Sequence, residues 1–263
     1  MSHPKKTIYV IGRGVDPSRH LNLAALNALR TCDRIFGIES EHKFWENICA
    51  QNNLAPLEDL SHLYKNGGVD RNNYDTFVTF ILDAIQKCER SVGLLVAGHP
   101  RLGVSFVPNL QSKIAHLSIQ IEVLENVSSF DTLINDLGID PLERGTMLID
   151  ANRMLLFKIP VPIGIGCFVY HVCSVGTNRT NYLEPSRGNE IQRLQAHLLQ
   201  YLSPDHEVLL CSSSNPPREQ CSKSAFRLSD LSERLNEIHF ATTLYIPPTR
   251  PAELDHSFLE LLR

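Results

Sequence analysis

Apolar and polar positions come in blocks whose period changes along the chain. TIYVIG, Thr7 to Gly12, is a short apolar run closed by a glycine loop, which predicts a buried strand. SRHLNLAALNALRTCDRIFG then places Leu23, Leu26 and Leu29 near helical spacing and returns to a strand at RIFG. HKFWENI reads as a short helix. YDTFVTFILDAIQKC sets Phe77, Phe80, Ile81, Ala84 and Ile85 on one helical face. SVGLLVAGHP is a strand ending in a Gly-His-Pro turn, NLQSKIAHL is helical and IQIEVLE extended. Strands alternating with helices predict a parallel or mostly parallel sheet covered by helices.

Beyond Asn126 the pattern changes. SSFDTLINDLGID opens on capping residues and ends at Gly138, a helix C-cap signal. GTMLIDA, GCFVYHVC, EVLLCSSS and ATTLYIP are strand candidates rich in β-branched or apolar residues. RGNEIQRLQAHLLQYLSP is an amphipathic helix between two of them, and KIPVPIGIG and SNPPREQCSK are turn-rich connections. These blocks predict an α/β protein of two α/β lobes: an N-terminal lobe over 1–125, a C-terminal lobe over 126–248, and a tail over 249–263 that holds one terminal helix.

Composition narrows the class. The 263 residues are 43% hydrophobic and 21% charged, an ordinary globular mixture, and the formal net charge is -4 with both signs interspersed. No basic block offers a footprint for nucleic acid. No run reaches the roughly 18 apolar residues of a membrane helix. The seven cysteines, Cys32, Cys49, Cys88, Cys167, Cys173, Cys211 and Cys221, are odd in number and show no CxxC spacing. Free thiols in a reducing compartment follow more naturally than a disulfide framework or a metal site. The N-terminus runs straight into a strand without a signal-peptide pattern. The expectation is a soluble cytoplasmic protein with no metal.

Four stretches hold candidate chemistry, each with a plainer reading beside it. GRGVDP, Gly12 to Pro17, follows a strand as a nucleotide loop would, but is neither GxGxxG nor a Walker loop; a strand-to-helix turn also needs glycine. VAGHPRLGV, Val96 to Val104, leaves the C-terminal end of an inner strand, where open α/β sheets bind ligands, or is simply a tight connection. NVSSFDTLINDLGIDP, Asn126 to Pro141, caps a helix with Ser128 or Ser129, and the same hydroxyls and amides suit a polar cofactor atom. YKNGGVDRNNY, Tyr64 to Tyr74, holds two phenols and the Arg71 guanidinium; Tyr74 is either a core tyrosine or a reactive one. No GxSxG, no HExxH and no histidine ligand spacing occur.

The ordered series YVIGRGVDP, LLVAGHPRLGV, NVSSFDTLINDLGIDP and ATTLYIPP resembles the tetrapyrrole (corrin/porphyrin) methylase superfamily over about residues 7 to 248. The GHP turn, LGIDP, SPDHEVLLCSSSNPP and YIPP resemble most the borosin group, the peptide backbone α-N-methyltransferases. The resemblance implies a cleft between the two lobes that binds S-adenosylmethionine. It assigns cofactor contacts to Gly98, His99, Pro100, Val104, Ser128, Ser129, His171, Ser213, Asn215, Ala241 and Thr242, many through the backbone. His171 stands where relatives often carry Gln. It assigns Tyr64, Arg71 and Tyr74 to the target amide, although the step from Arg71 to Tyr74 is one residue shorter than the family's.

The implied chemistry is in-line methyl transfer to a peptide nitrogen. That nitrogen is a poor nucleophile because its lone pair is delocalised into the carbonyl. A phenolate base and a nearby guanidinium would help it lose its proton. Known fused members carry the substrate as a C-terminal extension, and TRPAELDHSFLELLR contains no repeated apolar core. The expectation is therefore a separate precursor peptide or protein, a homodimer, and a heterotetramer with the precursor. The competing expectations are a methyltransferase for a tetrapyrrole or other small molecule and an inactive cofactor-binding homologue.

Overall fold

The computed structural model describes residues 5–38, 42–104, 106–214, 221–249 and 255–263. The chain divides into two compact units, Met1–Leu133 with Ser213–Gln220, and Ile134–Ser212 with Cys221–Arg263.

The first unit alternates strand and helix. It runs β1 (Lys6–Gly12), α1 (Pro17–His20), α2 (Leu23–Leu29), β2 (Arg34–Gly37), α3 (His42–Asn52), β3 (Leu57–Asp59), α4 (Asp70–Lys87), β4 (Ser91–Val96), α5 (Phe106–Ile114) and β5 (Ile119–Leu124), then enters α6 (Ser129–Leu137). The strand order is β3-β2-β4-β1-β5 and every pairing is parallel. Buried strands on both faces explain the unbroken apolar runs of β1 and β4. The expected face of α4 is the packed one: Phe77, Ile81, Ala84 and Ile85 are buried with Val78, and Phe80 packs beside them. A second cluster, around Ile11, Leu29, Ile35, the fully buried Trp45 and Leu95, fills the other side of the sheet.

The second unit contains β6 (Thr146–Asp150), α7 (Ala151–Leu156), β7 (Gly166–Tyr170), α8 (Ile191–Leu198), β8 (Glu207–Ser212), β9 (Ser222–Arg227), β10 (Thr243–Ile246) and α9 (His256–Leu261). Its sheet order is β6-β7-β10-β8-β9, parallel at β6/β7 and antiparallel elsewhere. The core joins Met154, Val169, Leu194, Leu198, Leu210, Leu231 and Leu244. Two strands, β3 and β9, carry no apolar run and escape the sequence pattern; both lie at sheet edges, where only one side pairs. The GCFVYHVC strand stops at Tyr170, because His171 takes a left-handed conformation with φ 58°.

A loop junction and a tyrosine segment form the candidate site

The chain leaves β1 toward β2 and leaves β4 toward β5, in opposite directions along the sheet. The C-terminal ends of β1 and β4 are therefore a topological switch point, where open α/β sheets bind ligands. There the two glycine loops pair with each other. Gly14 N–H donates to Gly98 O at 3.3 Å, and Gly98 N–H donates to Gly14 O at 2.9 Å. Both glycines have positive φ, +75° and +66°. Gly12 is needed for close approach: a Cβ there would meet Gly98 O at 2.7 Å, Pro100 Cδ at 2.9 Å and Asn126 Cβ at 3.0 Å. Asn126 Nδ2 donates to Gly12 O at 2.8 Å, which ties the end of β5 to the same junction.

Around this junction the expected residues take definite roles. Pro100 is buried, and Gly98 and His99 are half-buried. A Cβ on Gly98 would find only Ser128 Cα at 4.0 Å, so this glycine borders open space. His99 Nδ1 accepts the Arg101 N–H at 3.1 Å, which leaves the neutral ring's proton on Nε2. Ser128 is buried, and its hydroxyl donates to Asp131 Oδ2 at 2.6 Å and accepts the Asp131 N–H at 3.3 Å. It is thus a helix cap for α6, and its backbone is engaged as well: its N–H donates to Asp131 Oδ2 at 2.7 Å and its carbonyl accepts the Thr132 N–H at 3.2 Å. Ser129 opens α6. Ser213 is buried with its hydroxyl 2.5 Å from Thr132 Oγ1. Asn215 lies outside the described residues.

His20 belongs to this junction although no motif marked it. Its Nδ1 accepts the Asp16 N–H at 3.0 Å, and its Cβ would sit 2.2 Å from a Cβ on Gly14. Burial lowers the His20 pKa, against the opposing pull of Asp16 and Asp131. A glycine with a histidine six residues on was the available signal, and it is a weak one.

Tyr64, Tyr74 and Val104 are all half-buried and pack against the same core cluster as Phe77. The Tyr64 and Phe77 ring centroids are 6.3 Å apart. The segment is held by Asn73, which is buried to 4% exposure. Its Oδ1 accepts the Lys65 N–H at 3.0 Å and its Nδ2 donates to Lys65 O at 3.1 Å. This pair of hydrogen bonds fixes the backbone next to Tyr64, and no sequence pattern announced it. Arg71 is on the exposed face of α4, and its charge acts on Asp75. Asp75 is itself bonded to Asn109 Nδ2 at 2.9 Å and Lys113 Nζ at 3.1 Å on α5. The structure thus groups the two tyrosines and leaves Arg71 outward.

In the second unit, His171 Nδ1 lies 2.6 Å from Asp150 Oδ2. Burial works against ionisation of Asp150, but bonds from His171 and the Arg153 N–H outweigh it and hold the carboxyl below its usual range. Thr242 is buried and its hydroxyl accepts the His239 N–H at 3.0 Å, closing a turn; Ala241 is exposed beside it. Among the described residues no group of three or more His, Cys, Asp or Glu could hold a metal ion, and no helix is long and apolar enough to cross a membrane.

The residues at the switch point suit an anionic or acceptor group, such as the carboxylate of an amino-acid-bearing cofactor: open space borders Gly98, His99 presents a ring N–H, and α6 begins alongside at Ser129.

Comparison with known proteins is consistent with this geometry. A family model described as Tetrapyrrole (Corrin/Porphyrin) Methylases matches residues 7–151. Over 247 residues, 92% of this chain, the sequence is 24% identical to a methyltransferase/ribosomally synthesized type II borosin cyclic peptide precursor, pgiMA1, of Phlebiopsis gigantea. It is 26% identical over 96% of the chain to a type I counterpart, cmaMA, of Coprinopsis marcescibilis. The chain spans 43% and 66% of the lengths of these two relatives. The crystal structure of uroporphyrin-III-C-methyltransferase from Thermus thermophilus superposes with a TM-score of 0.62, covering 96% of this chain and 99% of the other at 16% identity.

Proposed function

Because the chain belongs to the tetrapyrrole (corrin/porphyrin) methylase family, we propose that it is an S-adenosylmethionine-dependent methyltransferase that N-methylates backbone amides of a ribosomally made precursor peptide. The observation that carries the peptide reading is the tyrosine pair. Tyr64 and Tyr74 are half-buried on one core cluster, in a segment that buried Asn73 clamps through Lys65. Two phenols so held have little freedom, which is what a positioned acid-base group requires. The names of the borosin relatives, aligned over nearly all of this chain, supply the substrate class.

When bound, the cofactor supplies an electrophilic methyl group on a sulfonium. The chain's own residues would do the rest. Gly98, His99, Pro100, Val104, Ser128 and Ser129 hold the donor in the first unit, largely through backbone groups. By the family resemblance, His171, Ala241, Thr242, Ser213 and Asn215 are proposed as further cofactor contacts. Tyr74 takes the proton of the target amide as its nitrogen is methylated. Tyr64 donates to the amide carbonyl oxygen and fixes the plane of the peptide. Arg71, on the exposed face of α4, supplies positive charge that favours phenolate. The names of the borosin relatives join methyltransferase and precursor in one chain; we propose instead a homodimer that takes its peptide from a separate precursor, and mixing purified protein with that precursor would then give a heterotetramer by light scattering.

The test is co-incubation with isotopically labelled S-adenosylmethionine and candidate precursor peptides, read by tandem mass spectrometry. Peptide ions gaining one methylene per modified amide, with the label in the backbone, support the reading. Unmodified peptide alongside a methylated tetrapyrrole or other small molecule would replace it, and failure to bind the cofactor would leave an inactive homologue.

A further inference from the structure

The loop after β7 is built with more care than a connection needs. His171 carries φ 58°, a conformation that side chains other than glycine seldom adopt. Two polar side chains brace the residues that follow it, and a third faces His171 itself. Asn152 donates to Ser174 O at 2.9 Å and to Thr177 O at 3.3 Å, and accepts the Gly176 N–H at 2.8 Å. Asn189, buried to 8% exposure, donates to Val172 O at 2.8 Å. Asp150 divides its carboxylate: Oδ1 accepts the Arg153 N–H at 2.8 Å as the cap of α7, and Oδ2 faces His171 Nδ1 at 2.6 Å. The ionised carboxyl only accepts, so His171 Nδ1 must carry the proton of this contact. The neutral ring then has its lone pair on Nε2. The His171 side chain keeps 37% of its surface, so the ring is not sealed off.

We propose that Asp150 is a positioning residue that holds His171 in the Nδ1–H tautomer, so that Nε2 is a bare acceptor reading a hydroxyl or N–H donor of the bound cofactor. This rests on the cofactor reading above and changes what His171 does within it. Gln offers both a donor and an acceptor at its tip, whereas the Asp150–His171 pair presents an acceptor only. An adenosyl cofactor carries such donors on its ribose and its amino groups, so the class of partner atom is set by the pair itself.

The experiment uses the full chain with Asp150→Asn, His171→Gln and the double variant. Asn caps a helix as well as Asp, and its Oδ1 is committed to Arg153 N–H. Its amide NH₂ would therefore face His171 Nδ1 and move the ring proton to Nε2. Imidazole ¹⁵N shifts, read on the protein alone near neutral pH, should show Nδ1–H in the parent and Nε2–H in Asp150→Asn. Affinity for S-adenosylhomocysteine, measured by calorimetry, should fall about tenfold in Asp150→Asn, the cost of a donor facing a donor. The double variant should recover most of it, because the Gln carbonyl accepts whatever residue 150 is. An imidazolium signature in the parent, or parent-like affinity in Asp150→Asn, overturns the proposal while leaving the cofactor reading intact. No binding by the parent protein overturns the cofactor reading and this inference together.

Discussion

The first unit presents its candidate groups on loops that leave parallel strands at their C-terminal ends, and backbone groups hold those loops. Gly14 and Gly98 exchange hydrogen bonds, and Gly12 lets Gly98, Pro100 and Asn126 approach. The second unit presents His171 on a loop beside a mixed sheet, held by the side chains of Asp150, Asn152 and Asn189. Parallel strands leave their carbonyl ends pointing out at one edge of the sheet, so a loop can be organised there by its own backbone if glycine permits. A left-handed residue in the other setting has to be held by side chains from neighbouring elements. The two units thus reach rigid loops by different means, and they should fail in different ways.

The comparison can be broken by four measurements in order of decreasing effect. Tyr74→Phe removes only the phenol from the first unit's clamped segment. The methylation rate in single turnover should fall by on the order of 10²–10⁴ with little change in melting temperature; a rate within a few-fold of the parent would remove Tyr74 from the chemistry. Gly12→Ala forces a Cβ against the Gly98 carbonyl and the Pro100 ring. We expect a loss of about 3 kcal/mol in urea unfolding, because two of the three obstructing atoms belong to backbone or a rigid ring.

Asn152→Ala deletes the brace of the second unit's loop, three hydrogen bonds at once. The expected loss is about 2 kcal/mol, with faster amide hydrogen exchange at residues 174–177 and an unchanged tyrosine segment. If exchange instead rose uniformly, the brace would not be local.

The smallest effect concerns the buried thiols. Burial pushes Cys167 and Cys211 up to about 12 in the second unit and Cys32 up to about 11 in the first. A raised folded value means the unfolded chain ionises first. The stability is therefore full below the unfolded thiol value and declines as pH rises toward the folded one. Between about pH 7 and about pH 8.5 each thiol should contribute a decline of about 0.4 kcal/mol. Comparing that slope in the parent and in Cys167→Ala/Cys211→Ala isolates the second unit's share; identical slopes would contradict it.

What could be read directly from the chain had a local cause. The period of α4, the apolar runs of β1 and β4 and the glycines at 12, 14 and 98 are each dictated by a few consecutive residues. The strands β3 and β9 were not legible, since an edge strand needs no apolar run to pair on one side. Among the candidate residues, Gly98, Pro100, Tyr64 and Tyr74 stand in stretches that periodicity or turn chemistry marks out. Asn73, His20 and Asp150 do not.

By itself, the order of residues determined the alternation of strands and helices in the first unit, the positions of its glycine loops and the face on which Tyr74 stands. Only the tertiary structure decided that Gly14 meets Gly98, that Asn73 clamps Lys65 and that Asp150 meets His171. Hydrophobic period and glycine freedom act over a few neighbouring residues and leave a trace in any short window. A hydrogen bond between positions 21 or 84 residues apart exists only once folding has closed the intervening loop, and so leaves none.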